Sequence, residues 1–431
     1  MSEQSPSAEP VFRTARRPRP IALANRGWQT LQRFGLARTA LDEQSLIAAA
    51  RRAAGLHDFG AAFRDDSTRE PMRRLLSALE QEARLHPLGR AMLRSNLVRA
   101  LVNRLRLEQA FDLQPEIDAL PVTAPVFIVG LQRTGTTLLH RLLACEPCLR
   151  PLLSWEALNP APFPASRRRR AEDGRDPRMR LAELAERGLR YLAPEFFAIH
   201  PIEARAPEED VLLLDITFVS PTADATLHVP SYSRWFEEVD QRPAYRYLER
   251  IPKLLLWQRP GRYLGKTPHH LEHLDVLLEV FPDARIIQTH RDPLRVVASF
   301  CSMISHGRAV FSDHVDPRAV GEQLARKAVR AVTQSMAVRD RVGEDHFLDV
   351  AYSDLVVDPL KQVRRIYDFA GLSLSGETEA SMQSWIAGNP QDKHGRHRYR
   401  LEDFGLERDR LEELFDPYCR RFGVARAAAS A

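Results

Sequence analysis

Two kinds of hydrophobic pattern follow one another along the chain. From Leu41 to Leu113, apolar residues recur three and four positions apart, a spacing that predicts amphipathic helices. After Pro121 the pattern changes to short, continuous apolar runs, of which Ala124-Pro-Val-Phe-Ile-Val-Gly is the first. Runs of this kind are typical of strands that are buried on both faces of a parallel sheet.

The second half of the chain alternates predicted strands with predicted helices. The expected strands are residues 124–130, 262–265, 285–289 and 347–350, and the expected helices are residues 136–143, 270–280, a segment from Pro293, and 360–370. This alternation predicts an α/β fold in which a central parallel β-sheet is flanked by helices through right-handed crossovers. The helical residues before it predict an N-terminal helical extension.

Composition divides the chain into segments. Residues 1–20 are rich in Pro, Ser and Arg, which predicts disorder, and residues 21–120 form the N-terminal helical region. Residues 121–425 form the main domain, interrupted by a Pro- and Arg-rich insertion at residues 160–260. In doubly wound folds such insertions lie over the carboxyl ends of the strands, where ligands bind. We call residues 160–260 the acceptor-side insertion.

Charge and composition exclude several classes of partner. The 431 residues include 62 basic and 57 acidic ones, interspersed rather than clustered, so no nucleic-acid partner is predicted despite the net charge of +5. No apolar run approaches the roughly 20 residues of a membrane span, and the N-terminus lacks the apolar core of a secretory signal. The four cysteines fit a reducing compartment, and the single pair Cys145 and Cys148 predicts no metal site. The expected location is the cytoplasm.

The strongest chemical motif is the segment Gly130-Leu-Gln-Arg-Thr-Gly-Thr-Thr. It places a glycine-bounded loop between a strand and a helix, where backbone N–H groups bind phosphate. Gly130 and Gly135 have P-loop spacing, but Thr136 stands at the position of the usual lysine, and Arg133 is the cation inside the loop. The predicted sheet is therefore P-loop-like. A kinase or NTPase is one alternative, disfavoured by Thr136, and an inactive nucleotide-binding module is another.

This altered loop resembles the 5′-phosphosulfate loop of sulfotransferases that use 3′-phosphoadenosine 5′-phosphosulfate (PAPS). The resemblance implies a second motif, an Arg and a Ser eight residues apart across a strand-to-helix turn, and Arg291 and Ser299 have that spacing. Asp292 and Pro293 suit the first positions of the helix between them. A phosphate on that helix face would meet Arg291 and Ser299.

The resemblance also implies a co-substrate and the residues that bind it. PAPS would be the sulfuryl donor without a metal, and its expected ligands are Arg133, Thr134, Gly135, Thr136, Thr137, Arg291, Ser299 and Lys393, the last in a basic loop. Tyr263-Leu-Gly-Lys-Thr-Pro is similar to the family segment that places a lysine, here Lys266, beside the transferred group. Tyr352-Ser-Asp-Leu-Val-Val-Asp-Pro resembles a structural stretch of the family.

Catalysis by this family implies charge stabilisation and a general base. Arg133 and Lys266 are the expected cations. Glu156 is the expected base, because it follows the loop helix at about the separation at which the similar tyrosyl-protein sulfotransferases have a base glutamate. Pro268 stands where some relatives have a base histidine, so His270, with His269, is a further candidate. The expected acceptor is a hydroxyl or amine of a small molecule, a lipid or a glycan. The run Arg167 to Arg170 could recognise an acidic acceptor, although a solvated loop is favoured. The oligomeric state is open, and a homodimer is compatible with these motifs.

Overall fold

The protein is described by a computed structural model that covers residues 18–34, 39–163, 175–389 and 399–426. Lys393 and the arginine run 167–170 lie outside the described residues, as do residues 1–17. Among the residues that are described, no helix combines the length and the apolar character that crossing a membrane requires.

Five parallel strands form the centre of the molecule. They are β1 (Val126–Gly130), β2 (Leu149–Pro151), β3 (Arg262–Lys266), β4 (Arg285–His290) and β5 (Phe347–Ala351), in the order β2-β3-β1-β4-β5. All the pairings are parallel, which confirms the predicted fold class. Only β2, three residues long, was not predicted, because so short a strand has no recognisable period.

The register brings three predicted segments to one edge of the sheet. Ile128 of β1 lies opposite Lys266 of β3, and Gly130 lies opposite Thr289 of β4. Every residue of β1 is buried, and alternate residues face opposite cores: Phe127 and Val129 belong to one hydrophobic cluster, Val126 and Ile128 to the other. The carboxyl ends of β1, β3 and β4 therefore converge where the phosphate loop begins.

Helices precede the sheet, as the apolar spacing predicts. Their bounds are Arg19–Arg33, Glu43–Ala54, Ala61–Arg64, Asp66–Gln81, Pro87–Leu113 and Glu116–Ala119. The first of these helices begins at Arg19, so residues 19 and 20 of the segment predicted to be disordered are helical. The proline at position 20 is compatible with this, because proline is tolerated in the first turn of a helix. Leu101 and Leu105 share one hydrophobic cluster with Phe127 of β1, so this region packs into the core of the sheet.

The acceptor-side insertion is mainly helical. After the short helix Ser154–Leu158 come Pro177–Leu192, Pro194–Ile199, Val211–Leu214, Pro221–Thr226, Pro230–Glu238 and Arg242–Gln258, with a 3₁₀ turn at Asp215–Thr217. Main-chain hydrogen bonds fasten the insertion to the segment after β2: Ser154 N–H donates to Ala206 O at 2.9 Å, and Glu208 N–H donates to Leu152 O at 2.8 Å. These bonds fix the position of residues 206–208 beside the sheet.

The remaining helices follow their strands closely. They are Thr136–Leu143 after β1, Leu274–Val280 after β3, Pro293–Ala309 and Pro317–Val342 after β4, and Tyr352–Val357, Pro359–Ala370, Gly376–Gly388 and Arg408–Phe422 after β5, with a 3₁₀ turn at Glu402–Phe404. The helix predicted at residues 270–280 is instead a 3₁₀ segment, Pro268–His273, followed by the α-helix.

Candidate functional site

The phosphate loop links β1 to the helix Thr136–Leu143, and its backbone requires glycine at both ends. Gly130 has φ of +142° and Gly135 has φ of +92°. A Cβ atom on Gly130 would lie 2.4 Å from Thr289 Oγ1, and one on Gly135 would lie 2.9 Å from Leu355 Cδ2. Residues with a side chain rarely adopt such φ values. Glycine is therefore required at both positions for two reasons: the backbone conformation and the close neighbours.

The Thr134 side chain attaches the phosphate loop to the neighbouring strand β4. Its hydroxyl donates to Leu131 O at 2.6 Å and shares a 2.6 Å hydrogen bond with the hydroxyl of Thr289 on β4. The Thr134 side chain is fully buried. The predicted contribution of Thr134 to nucleotide binding is therefore limited to its backbone N–H, since its hydroxyl is already bonded.

The loop offers the donors that a phosphate needs. Within the described residues, no carbonyl accepts a hydrogen bond from the N–H groups of Gly135, Thr136 and Thr137. These groups lie at the start of a helix, where the partial positive charge of the helix favours an anion. The donor set fits the 5′-phosphosulfate end of PAPS.

The three residues expected at the two phosphate ends lie together. Arg133 Nε donates to Ser299 Oγ at 3.2 Å, and Arg291 NH1 donates to Arg133 O at 2.7 Å. The Arg291 guanidinium lies 4.1 Å from the ring centroid of Tyr352. Burial, with the neighbouring charge of Arg291, lowers the pKa of Arg133. Two like charges repel each other, so an anion beside both guanidinium groups would be favoured electrostatically.

Lys266, at the end of β3, forms an ion pair with a residue that the sequence motifs did not indicate. Its Nζ lies 2.5 Å from Glu209 Oε1, and Thr267 Oγ1 donates to Glu209 Oε2 at 3.1 Å. Burial acts to raise the pKa of Glu209, but Lys266, His200 and Thr267 outweigh it and hold that pKa below its ordinary value. Glu209 is therefore ionised at neutral pH, and its side chain remains 20% exposed.

A buried network positions Glu209. The neighbouring Asp210 donates its N–H to Lys266 O at 3.1 Å and accepts a 2.6 Å hydrogen bond from the Tyr263 hydroxyl. His270 lies 3.1 Å from Asp210 Oδ2 through Nε2 and 2.9 Å from the Tyr245 hydroxyl through Nδ1. Both ring nitrogens of His270 are thus bonded in the core, and the side chain is fully buried. This placement argues against the predicted catalytic role of His270 and indicates a positioning role.

Glu156 has an environment unlike that expected of a general base. Arg150 binds its carboxylate with both terminal nitrogens, at 2.9 and 2.5 Å, and Leu153 N–H donates to it at 3.1 Å. The two side chains are 2% and 4% exposed. The predicted role of Glu156 as a base is therefore disfavoured, because Arg150 binds both of its oxygens. Glu209 is the more exposed of the two carboxylates, with 20% of its side chain accessible.

A further cluster has metal-ligand chemistry. The ligand atoms of His269, Glu272 and His273 lie within 4.8 Å of one another. His269 packs 5.4 Å from the ring of Phe236, and burial lowers the pKa of His269. The charge of Arg330 acts on all three residues, which disfavours a bound cation. We interpret the cluster as part of the core.

The geometry thus combines a lysine-free phosphate loop, a second cationic site at Arg291 and a lysine at the end of β3. A family model described as "Sulfotransferase family" matches residues 125–376, more than half of the chain. The chain belongs to the sulfotransferase family. The matched residues of this sulfotransferase include the phosphate loop, Arg291, Ser299 and Lys266.

Several bacterial sulfotransferases are similar to this chain over most of its length. Omega-hydroxy-beta-dihydromenaquinone-9 sulfotransferase Stf3 of Mycobacterium tuberculosis is 26% identical over 316 residues, which are 68% of this chain and 74% of the relative. The crystal structure of sulfotransferase STF9 from Mycobacterium avium superposes with a TM-score of 0.81 at 28% identity, covering 90% of this chain and 98% of the other. Sulfotransferase STF1 from Mycobacterium tuberculosis gives 0.76 at 33% identity, covering 88% and 100%.

Family membership selects among the alternatives that the phosphate loop left open. The chain is a sulfotransferase, an enzyme that transfers a sulfuryl group, and the kinase or NTPase alternative is set aside. PAPS is the general sulfate donor of the family. The sequence motifs indicated Arg133, Arg291, Ser299 and Lys266, whose roles stay predictions, and no motif indicated Glu209, the partner of Lys266.

Proposed function

We propose that this sulfotransferase moves the sulfuryl group of PAPS to the hydroxyl of an apolar acceptor by in-line displacement. The observation that carries the proposal is the convergence of the phosphate loop, Arg291 and Lys266 at one edge of the sheet. The loop between Gly130 and Gly135 would bind one phosphate, and Arg291, which is 158 residues after Arg133 of that loop, would bind a second. A donor with phosphate groups at two positions of its ribose fits that pair of sites.

Lys266 and Arg133 are proposed to stabilise the charge of the transition state. As the bond from sulfur to the 5′-phosphate oxygen breaks, the electron pair stays on that oxygen, and Lys266, Arg133 and the loop N–H groups lie where it accumulates. Preorganised donors of this kind are typically worth about 10²–10³ in rate each. No metal ion is required in this scheme, because fixed cations of the chain neutralise the developing charge.

Glu209 is proposed as the general base. As the acceptor oxygen bonds to sulfur, its proton passes to a carboxylate oxygen of Glu209. The support for this role is the 2.5 Å contact of Glu209 with Lys266, the lysine proposed to act on the transferred group, together with the ionised state and the partial exposure of Glu209. Glu156 lacks that exposure, since Arg150 covers both of its oxygens.

Arg291 and Ser299 are proposed to hold the 3′-phosphate. Arg291 is oriented by the Tyr352 ring and by Arg133 O. Ser299 also contacts Arg133, because its hydroxyl accepts a hydrogen bond from Arg133 Nε. Lys393, outside the described residues, keeps its proposed role as a cation over the nucleotide.

The acceptor is proposed to be lipid-like. The relative Stf3 is named for a hydroxylated menaquinone, and the present chain is similar to 74% of it. This favours the lipid class among the small-molecule, lipid and glycan acceptors considered from the sequence. The four cysteines are free thiols, which supports the proposed cytoplasmic location, and a homodimer is neither required nor opposed by the site.

Thermal-shift titration tests the proposal directly. Adenosine 3′,5′-bisphosphate, the spent donor, should raise the melting temperature in the presence of EDTA, whereas ATP with Mg²⁺ should raise it much less. A stabilisation by ATP with Mg²⁺ alone would contradict the proposal. Transfer of radioactive sulfate from PAPS to a long-chain alcohol, also with EDTA present, is the matching activity measurement.

A further inference from the structure

A cavity of about 180 Å³ lies between the N-terminal helical region and the acceptor-side insertion. Leu97 and Ala100 of the helix Pro87–Leu113 form one wall, and Ile216 and Phe218 of the insertion form the opposite wall. Leu158, from the helix that follows β2, closes a third side. Most of this lining is apolar, as expected of a site for a hydrophobic ligand rather than for a sugar, whose hydroxyls need many polar partners.

Two charged side chains also face the cavity. Arg99 and Asp215 both line it, and each affects the charge of the other. Asp215 already accepts a 2.5 Å hydrogen bond from Ser220 Oγ. Arg99, by contrast, donates no hydrogen bond to any residue that the structure describes. Arg99 is half-buried, so its guanidinium is available to donate to an oxygen atom of a ligand in the cavity.

Two lining residues of the cavity are close in the chain to residues considered for the transfer site. Leu212 donates its N–H to the main-chain O of Glu209 at 3.3 Å, and Ala157 follows Glu156. An acceptor that reaches from Glu209 into this space would have its hydroxyl beside Glu209 and Lys266 and its apolar part in the cavity.

We propose that this cavity binds the apolar part of the acceptor, with an additional acceptor oxygen hydrogen-bonded to Arg99. The assignment rests on the proposed sulfuryl transfer. It gives the N-terminal helical region a function, because the helix Pro87–Leu113 supplies one wall of the acceptor site. A cavity of roughly 150 Å³ lined by Leu, Ile and Phe takes up benzene, so this cavity accommodates one ring or a short alkyl chain. Only one end of the apolar chain of a longer lipid would fit inside this cavity.

The volume of the cavity is tested by filling it. Ala100→Phe should raise the KM for 1-octanol at least tenfold while the Kd for adenosine 3′,5′-bisphosphate stays within twofold. Ala223→Phe, from the insertion side of the cavity, should act in the same direction. Gln109→Phe, on the exposed face of the same helix, is the matched control and should leave both constants unchanged. Unchanged KM values in both filled variants would overturn the proposal.

The polar anchor is tested separately. Arg99→Leu should raise the KM for 1,8-octanediol, which has an additional oxygen, several-fold more than the KM for 1-octanol. An equal change for the two alcohols would refute the role of Arg99.

Controls on the unsubstituted chain separate the acceptor proposal from the transfer proposal. If the chain binds the bisphosphate but neither binds nor sulfates 1-octanol, or sulfates N-acetylglucosamine instead, the acceptor assignment is wrong. If it does not bind the bisphosphate, the proposed transfer itself fails.

Discussion

Lys266 Nζ and Glu209 Oε1 lie 2.5 Å apart, although 57 residues separate them in the sequence. Lys266 ends strand β3, whereas Glu209 belongs to the acceptor-side insertion, which main-chain hydrogen bonds hold beside the sheet. The pair therefore joins the donor side of the site to the acceptor side. In the proposed transfer, the cation would stabilise the oxygen that the sulfuryl group leaves, and the carboxylate would accept the proton of the oxygen that it reaches.

Glu209→Gln should lower kcat by about 10² or more, because a general base typically contributes about 10²–10⁴ to the rate. The amide keeps the shape of the side chain, so the Kd for adenosine 3′,5′-bisphosphate should change little. Steady-state kinetics and calorimetry measure the two quantities. Glu208→Gln is the matched control, since Glu208 is adjacent but is not the carboxylate bound to Lys266. Full turnover in Glu209→Gln would transfer the role of base to another residue.

Glu156→Gln should instead act on stability. The substitution leaves the Arg150 charge, which is 2% exposed, without its partner, and breaking a buried ion pair in this way costs about 3–5 kcal/mol. The melting temperature should fall, while kcat per folded molecule should stay close to that of the unsubstituted enzyme. If kcat falls about 10²-fold in soluble, folded protein, the interpretation of Glu156 as a structural residue is wrong.

The pH profile of kcat/KM should reflect the lowered pKa of Glu209. Lys266, His200 and Thr267 favour the ionised form against the effect of burial, so the carboxylate keeps its basic form as the pH falls toward the ordinary glutamate pKa of about 4.3. Activity should therefore remain constant from about pH 8 down to pH 5 and decline only below that range. A decline centred near pH 6.5 would instead indicate a histidine as the base.

Arg291→Ala should distinguish the two phosphate sites. A hydrogen bond to a charged group is worth about 1.5–3 kcal/mol, so the affinity for adenosine 3′,5′-bisphosphate should fall roughly 10- to 100-fold. The affinity for adenosine 5′-phosphate, which has no 3′-phosphate, should change less than twofold. Arg295→Ala removes an exposed charge from the next helix and is the control. An equal loss for both nucleotides would show that Arg291 serves the loop alone, through its bond to Arg133 O.

The residues predicted for the donor site were indicated by local signals in the sequence, and their roles stay predictions. The loop after β1 needs glycines at two fixed positions, and the helix predicted at residues 136–143 begins and ends as expected. Arg291 and Ser299 are likewise linked by one strand-to-helix turn. Such features depend on a few neighbouring residues, and a short segment is sufficient to identify them.

The acceptor side could not be predicted in the same way. Glu209 reaches Lys266 through long-range bonds from Asp210 N–H and Glu208 N–H, and no short motif encodes them. Conversely, His270 is close to Lys266 in sequence, yet its ring is bonded to Asp210 and Tyr245 in the core. The closeness of His270 to Lys266 in the sequence suggested a catalytic role, whereas the core hydrogen bonds of its ring favour a positioning role.

Gly135→Ala should weaken nucleotide binding at both phosphate sites. A Cβ atom at Gly135 would lie 2.9 Å from Leu355 Cδ2 and 3.0 Å from Tyr352 Cδ2, so one of these side chains must move. The Tyr352 ring supports Arg291, and its displacement would disturb the 3′-phosphate site as well as the loop. We expect at least a tenfold loss of affinity for adenosine 3′,5′-bisphosphate, equivalent to about 1.4 kcal/mol.

The control for Gly135→Ala is a glycine with similar backbone strain and open space around it. Gly371 has φ of +65° at the end of the helix Pro359–Ala370, and an added Cβ there has no neighbour within 4 Å. Gly371→Ala should therefore lower the free energy of unfolding by about 1–2 kcal/mol through its left-handed conformation alone, with a matching fall in melting temperature, and leave the bisphosphate Kd unchanged. If the two variants bind the bisphosphate equally well, the contact of Gly135 with Tyr352 does not couple the loop to Arg291.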